Sequence, residues 1–234
     1  MINAKRSIEA CAAFYGDDSK DMKNYLLEGE KAALAMNNRG PISFDAQGNL
    51  AASIRNAYSE NGFYIFEGVL NKDELDDIKV DLDKMRSNFP IHPESSVDIN
   101  GEPALGVDSK ALTLVWSKPL GDPLGGTDLA NGRHQIKMFE PKAAEDSPVA
   151  SPFILLGSLQ FSEACLRTYA HPELLKVAES INGKDFAPFN EALFIKEPGI
   201  GAAVSWHQDG VTHWDSENFD EDIHGFNFMA QVFG

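Results

Sequence analysis

Apolar and polar positions along this chain follow two periods, and the change of period separates helices from strands. Leu75, Ile78, Leu82 and Met85 follow one another at spacings of 3, 4 and 3, which places them on one face of a helix. Asn71 precedes that run with Glu74 three residues on, a capping-box pattern, and Pro90 closes it. Residues 21–37, "DMKNYLLEGEKAALAMN", predict an earlier helix, with Asn38 and Gly40 as stop signals. A short helix is expected near 49–60, ending by Gly62. Two more are expected, over about 158–169 and from Pro172 to the Asn182-Gly183 stop. Proline suits the first helical position, and His171 stands where it would cap that helix.

Elsewhere β-branched and aromatic residues gather in short runs. "GFYIFEGVL" (62–70) has strand composition, and "ALTLVWS" (111–117) reads as a strand or a short buried helix. "HQIKMFEP" (134–141) predicts a strand with Gln135 and Lys137 on one face and Ile136 and Met138 on the other. "FNEALFIKEPG" (189–199) predicts a strand closed by Pro198-Gly199, followed by "AAVSWHQD" (202–209) and "HGFNFMAQVFG" (224–234). Helices come first and strands then follow in quick succession. That order predicts an α+β domain around a β-sandwich or barrel.

Composition narrows the partners. The chain has 234 residues, 43% hydrophobic and 24% charged, enough for one large domain with a substantial core. No apolar run reaches the length of a membrane span, and "MINAKRSIEACAAFYGDD" lacks the continuous apolar core of a signal peptide. A net charge of −16 argues against nucleic acid and anionic membranes as partners. Cys11 and Cys165 form neither a disulfide framework nor a zinc-site spacing, so a reducing cytoplasm is the expected location. The loop "KPLGDPLGGTDLANGR" is rich in glycine but has no Gly-Lys-Ser/Thr ending, which removes a phosphate-loop reading.

The candidate chemistry lies in "SWHQDG" (205–210). On a strand, His207 and Asp209 point to the same face with Cα atoms roughly 6.5–7 Å apart. That separation lets an imidazole and a carboxylate converge on one metal ion. On a helix they would diverge by about 200°. His-x-Asp alone is a common chance pattern. Here it ends an apolar strand, follows the tight "KEPGIG" connection, and precedes a second aromatic-histidine cluster, "VTHWD".

"NEALFIKEPGIGAAVSWHQDG" together with "HGFNFMAQVFG" resembles the phytanoyl-CoA dioxygenase family of non-haem iron, 2-oxoglutarate-dependent oxygenases. "NGFYIFEGVLNKDELDDIKVDLDKM" is similar to the start of that domain. The resemblance covers about residues 55–234 and is loosest over 90–130. It implies a double-stranded β-helix, the jelly-roll of cupin-like proteins, with N-terminal helices. It also implies a division into an N-terminal helical extension (1–50) and the oxygenase-like domain (51–234). The implied activity is hydroxylation of a small organic substrate, with 2-oxoglutarate decarboxylated to succinate and CO₂. The implied cofactors are Fe(II), 2-oxoglutarate and O₂.

His207 and Asp209 match the family's first metal histidine and its aspartate. Halogenating relatives lack that carboxylate, so Asp209 implies a hydroxylase scaffold. By the resemblance, Lys137 contacts 2-oxoglutarate; its other reading is a solvated strand lysine. Gln135, His213 and Trp214 are the candidates for the substrate side of the pocket. The family's second metal histidine, and a basic residue that holds the far carboxylate of 2-oxoglutarate, lie well downstream of His-x-Asp. Only 25 residues follow Asp209, so the domain is expected to be the N-terminal part of a longer one. The third ligand would then lie beyond Gly234, and the chain as given would be inactive. His224, and less readily His213, are the alternatives within the sequence. The rival function is a non-catalytic, cupin-like binding module. Substrate identity and oligomeric state are not legible.

Overall fold

A computed structural model describes residues 16–123, 143–187 and 191–204. These residues form a mixed helix and sheet structure, the α+β class read from the sequence. They fall into two compact units that divide between Val69 and Leu70.

In the first unit, a 3-10 turn at Gly16–Asp18 leads into helix α1 (Ser19–Ala35). A two-residue strand, β1 (Arg39–Gly40), and helix α2 (Ala52–Asn61) follow. Leu50, Ile54 and Ala57 are buried, whereas α1 buries none of its residues. Gly62 closes α2 in the left-handed region, at φ 77°, with its N–H donating to the Tyr58 carbonyl. Glycine meets no steric penalty in that conformation, so the stop signal reads correctly. The strand expected over 62–70 shrinks to β2 (Ile65–Phe66), which pairs in parallel with β1 through Arg39↔Ile65 and Gly40↔Phe66. Glycines in the left-handed region at 62 and 68 bracket it and break the extended backbone on both sides.

The second unit begins with helix α3 (Lys72–Ser87). Its capping box is complete: the Glu74 N–H donates to Asn71 Oδ1 at 3.0 Å, and the Asn71 N–H to Glu74 Oε2 at 2.8 Å. Ile78 and Met85 are buried, Leu82 packs beside Met85, and Leu75 at the start of the stripe is more exposed. The segment 111–117 resolves to a strand, β3 (Leu114–Ser117). With β4 (Ser151–Leu156) and β5 (Ala192–Phe194) it forms an antiparallel sheet in the order β3-β4-β5.

β4 lies in the centre, and Phe153, Ile154 and Leu155 are all buried. Such a run marks a strand covered on both faces. Leu155 joins Met85, Leu114 and Cys165 in one apolar cluster, with Trp116, Leu193 and Ile195 around it. Phe153 and Ile154 join Ala202 in another, with Val115, Leu156, Ala192 and Val204. Two consecutive residues share a cluster because the register steps from Val115↔Ile154 to Trp116↔Pro152, leaving Phe153 as the extra residue of a bulge. Pro152 has no N–H for the ladder, which suits it to such an irregularity.

The single helix expected over 158–169 is two pieces, a 3-10 turn at Ser158–Gln160 and helix α4 (Glu163–Tyr169). Ser162 separates them. Its backbone is extended, and its hydroxyl accepts the Cys165 N–H at 2.9 Å as an N-cap. Helix α5 (Pro172–Asn182) starts at the proline as expected. His171 occupies its N-cap position but makes no side-chain capping bond. Its Nδ1 is buried without a hydrogen-bond partner, so the capping role expected of this side chain is not realised.

Candidate metal centre and its support

The segment that leads into "SWHQDG" is held by strand pairing and by two turns that bond to each other. β5 pairs with β4 through Ile154↔Phe194, Leu155↔Leu193 and Leu156↔Ala192, and the Ile195 N–H adds a bond to the Phe153 carbonyl at 2.8 Å. The Phe153 and Phe194 rings meet edge to face, with centroids 5.7 Å apart, a favoured aromatic arrangement. The chain then reverses at Pro198-Gly199, where Gly199 has φ +80°. The Glu197 carbonyl accepts from the Ile200 N–H at 3.2 Å and from the Gly201 N–H at 2.8 Å. A Cβ on Gly201 would lie 3.1 Å from that same carbonyl oxygen. The turn therefore needs glycine at 199 for its backbone angle, and at 201 a side chain would crowd that carbonyl.

A second turn receives the first. The Gly121 N–H closes it onto the Lys118 carbonyl at 2.9 Å. Leu120 between them has φ +55°, the one non-glycine residue in the left-handed region among the described residues. Such a conformation is strained for leucine and persists only where the surroundings over-determine it. Two main-chain bonds of opposite sense join the turns. The Leu120 N–H donates to the Ile200 carbonyl at 2.8 Å, and the Ala203 N–H donates to the Gly121 carbonyl at 2.7 Å.

Side chains reinforce the junction. The Lys196 ammonium donates to the Ala202 carbonyl and lies 5.8 Å from the centroid of the Phe153 ring. Arg86, in the last turn of α3, pairs with the Glu197 carboxylate at 2.6 Å. The glutamate side chain is 20% exposed and the arginine 63%. Sequence reading gave Lys196 no role and left Arg86 and Glu197 unremarked. The one signal for them was a Lys-Glu pair set immediately before a Pro-Gly turn.

α3 also holds α4. Asp81 Oδ2 accepts the Ser162 hydroxyl at 2.7 Å and the Ala164 N–H at 3.1 Å. These two donors, the hydroxyl first, hold the Asp81 carboxyl below the ordinary aspartate range. Arg167 Nη2 meets Asp77 at 2.7 Å alongside.

His207, Asp209, Gln135, Lys137, His213 and Trp214 all lie outside the described residues, as do His134, His224 and Cys11. Among the described residues, no group of three or more His, Cys, Asp or Glu side chains could hold a metal ion. His92 accepts the Glu94 N–H through Nδ1 at 3.3 Å, a local turn bond. An imidazole and a carboxylate are donor types that hold Fe(II) while leaving coordination positions open. His207 and Asp209 therefore fit that metal in chemical kind.

A family model described as phytanoyl-CoA dioxygenase matches residues 58–229. The chain belongs to the phytanoyl-CoA dioxygenase family. No curated protein and no solved structure gives a match. Phytanoyl-CoA dioxygenases are in general Fe(II)- and 2-oxoglutarate-dependent oxygenases of small molecules, with O₂ as the other cosubstrate. The matched span takes in both turns, the Lys118–Val204 junction, and every candidate site residue from Gln135 to Trp214. Among the described residues, no helix is long and apolar enough to cross a membrane.

Proposed function

We propose that this phytanoyl-CoA dioxygenase family member is a cytoplasmic Fe(II)/2-oxoglutarate-dependent dioxygenase that hydroxylates a small organic substrate. In this reading residues 51–234 carry the oxygenase domain, with a jelly-roll core, and residues 1–50 a helical extension. The observation that carries it is the family match over 58–229, which spans the His207-x-Asp209 motif.

His207 and Asp209 would hold the iron. Bound there with 2-oxoglutarate and O₂, it would supply the oxidising chemistry, with succinate and CO₂ as the coproducts. The chain's own task is to bind and orient. Lys137 keeps its charge and offers three N–H donors, so it pairs with a carboxylate of 2-oxoglutarate. Gln135, two residues away and on the same face if the segment is the expected strand, would contribute hydrogen bonds beside it. His213 and Trp214 face the substrate.

The test is a Co(II) or Fe(II) titration of the full chain, with succinate release measured in Fe(II), ascorbate and 2-oxoglutarate. One-site metal binding should weaken by at least about 10-fold in both His207→Ala and Asp209→Ala, the loss typical of a disturbed ligand set. A further loss in His224→Ala or His213→Ala assigns that histidine as third ligand. Unchanged metal affinity in both His207→Ala and Asp209→Ala would overturn the reading. His207-dependent metal binding without 2-oxoglutarate turnover favours the binding-module alternative only in a protein that also carries the downstream histidine and basic residue of the family.

A further inference from the structure

We propose that Arg86 and Glu197 are positioning residues for the segment that carries His207 and Asp209, fixing its entry point through the Glu197–Gly201 turn. The inference rests on the assignment of His207 and Asp209 as ligands.

Glu197 acts at three points of the junction. Its carboxylate is held by Arg86 at 2.6 Å. Its carbonyl takes both the Ile200 and the Gly201 N–H. A Cβ on Gly201 would meet its carbonyl oxygen at 3.1 Å and its nitrogen at 3.3 Å, closer than ordinary van der Waals contact. Rotating or shifting Glu197 therefore moves Ile200 and Gly201 with it. The Ile200 carbonyl in turn accepts the Leu120 N–H at 2.8 Å, and the Ala203 N–H is committed to the Gly121 carbonyl at 2.7 Å. Ala203 stands four residues before His207, a span of at most about 14 Å of extended chain. Ligand side chains must be placed to about 0.5 Å to complete a metal site. The turn therefore lies within that chain length of the first proposed ligand.

The exposure of the pair separates positioning from stability. Arg86 is largely solvent-facing, so the ion pair contributes little to folding free energy. A purely structural role predicts small changes everywhere. A positioning role predicts a small change in Tm and a large one in metal affinity. Arg167–Asp77, another exposed pair, between α4 and α3, is the internal control, because it does not touch the turn.

The experiment compares the full chain with Arg86→Gln, Glu197→Gln, Arg86→Lys and Arg167→Gln. Co(II) affinity, metal-free Tm, and amide exchange at Gly201 and Ala203 are read for each. Arg86→Gln and Glu197→Gln should each weaken Co(II) binding about 10-fold and speed exchange at both amides, with Tm nearly unchanged. Arg86→Lys should recover most of the affinity, and Arg167→Gln should match the unsubstituted chain. Metal affinity within 2-fold of the unsubstituted chain in both glutamine variants overturns this inference alone. So does an equal loss in Arg167→Gln. Absence of His207-dependent Co(II) binding in the unsubstituted chain overturns the ligand assignment and, with it, the positioning role.

Discussion

α1 and α3 are nearly equal in length, 17 and 16 residues, and both show amphipathic patterning, yet they are held in different ways. α1 has no side-chain cap, carries Gly29 in its interior, and buries no residue; Tyr25, Leu27 and Leu34 are exposed. An interior glycine costs about 1 kcal/mol relative to alanine, so propensity alone supports α1 weakly. α3 has a complete capping box, buries Ile78 and Met85, grips the start of α4 through Asp81, and ends at the Arg86–Glu197 pair. Apolar periodicity marks where a helix forms. Its value as a structural anchor depends on what the rest of the chain brings to its faces.

The largest expected effect tests the anchored helix. Met85→Ala removes a side chain only 3% exposed, between Leu114, Leu155 and Cys165. It should destabilise the second unit by about 2–5 kcal/mol, the range for such truncations, as read from urea denaturation. A cost below about 1 kcal/mol would mean that α3 is no better anchored than α1.

Acid provides the next test. The folded-state pKa of Asp81 is depressed, so its contribution is present above the unfolded value and lost as pH falls through the folded one. Asp81→Asn should cost on the order of 1 kcal/mol at neutral pH, a charged hydrogen bond discounted for partial exposure. The gap from the parent chain should begin to narrow below about pH 4 and close once the pH is below the depressed folded-state value. A gap that persists unchanged at pH 2.5 would assign the effect to packing instead of charge.

The smallest effect belongs to α1. Leu27→Ser with Leu34→Ser, both on exposed positions, should change stability by no more than about 0.5 kcal/mol per site. A loss of 2 kcal/mol or more would show that α1 is covered by something in solution and would remove the contrast with α3.

Local signals were legible where the interaction spans a few residues. The Asn71–Glu74 box, the Gly62 stop, the Pro172 start and the Pro198-Gly199 reversal are all local geometry. The split of 158–169 was also local, and Ser162 as an N-cap was the missed cue. His171 shows the limit of position alone: the residue stands at the cap, but its side chain does not serve it. The six candidate site residues, His207 and Asp209 among them, were reached by motif and family likeness, and they lie outside the described residues.

By itself the sequence determined the elements whose hydrogen bonds close within about four residues, together with the α+β class and the family. Tertiary structure alone decided which residues hold the approach to His207. Arg86 and Glu197 are separated by 111 positions, and Leu120 and Ile200 by 80. No periodicity or spacing rule spans such distances. The strain accepted at Leu120 and the bulge at Phe153 exist only because packing brings distant backbone groups together and each needs a hydrogen-bond partner.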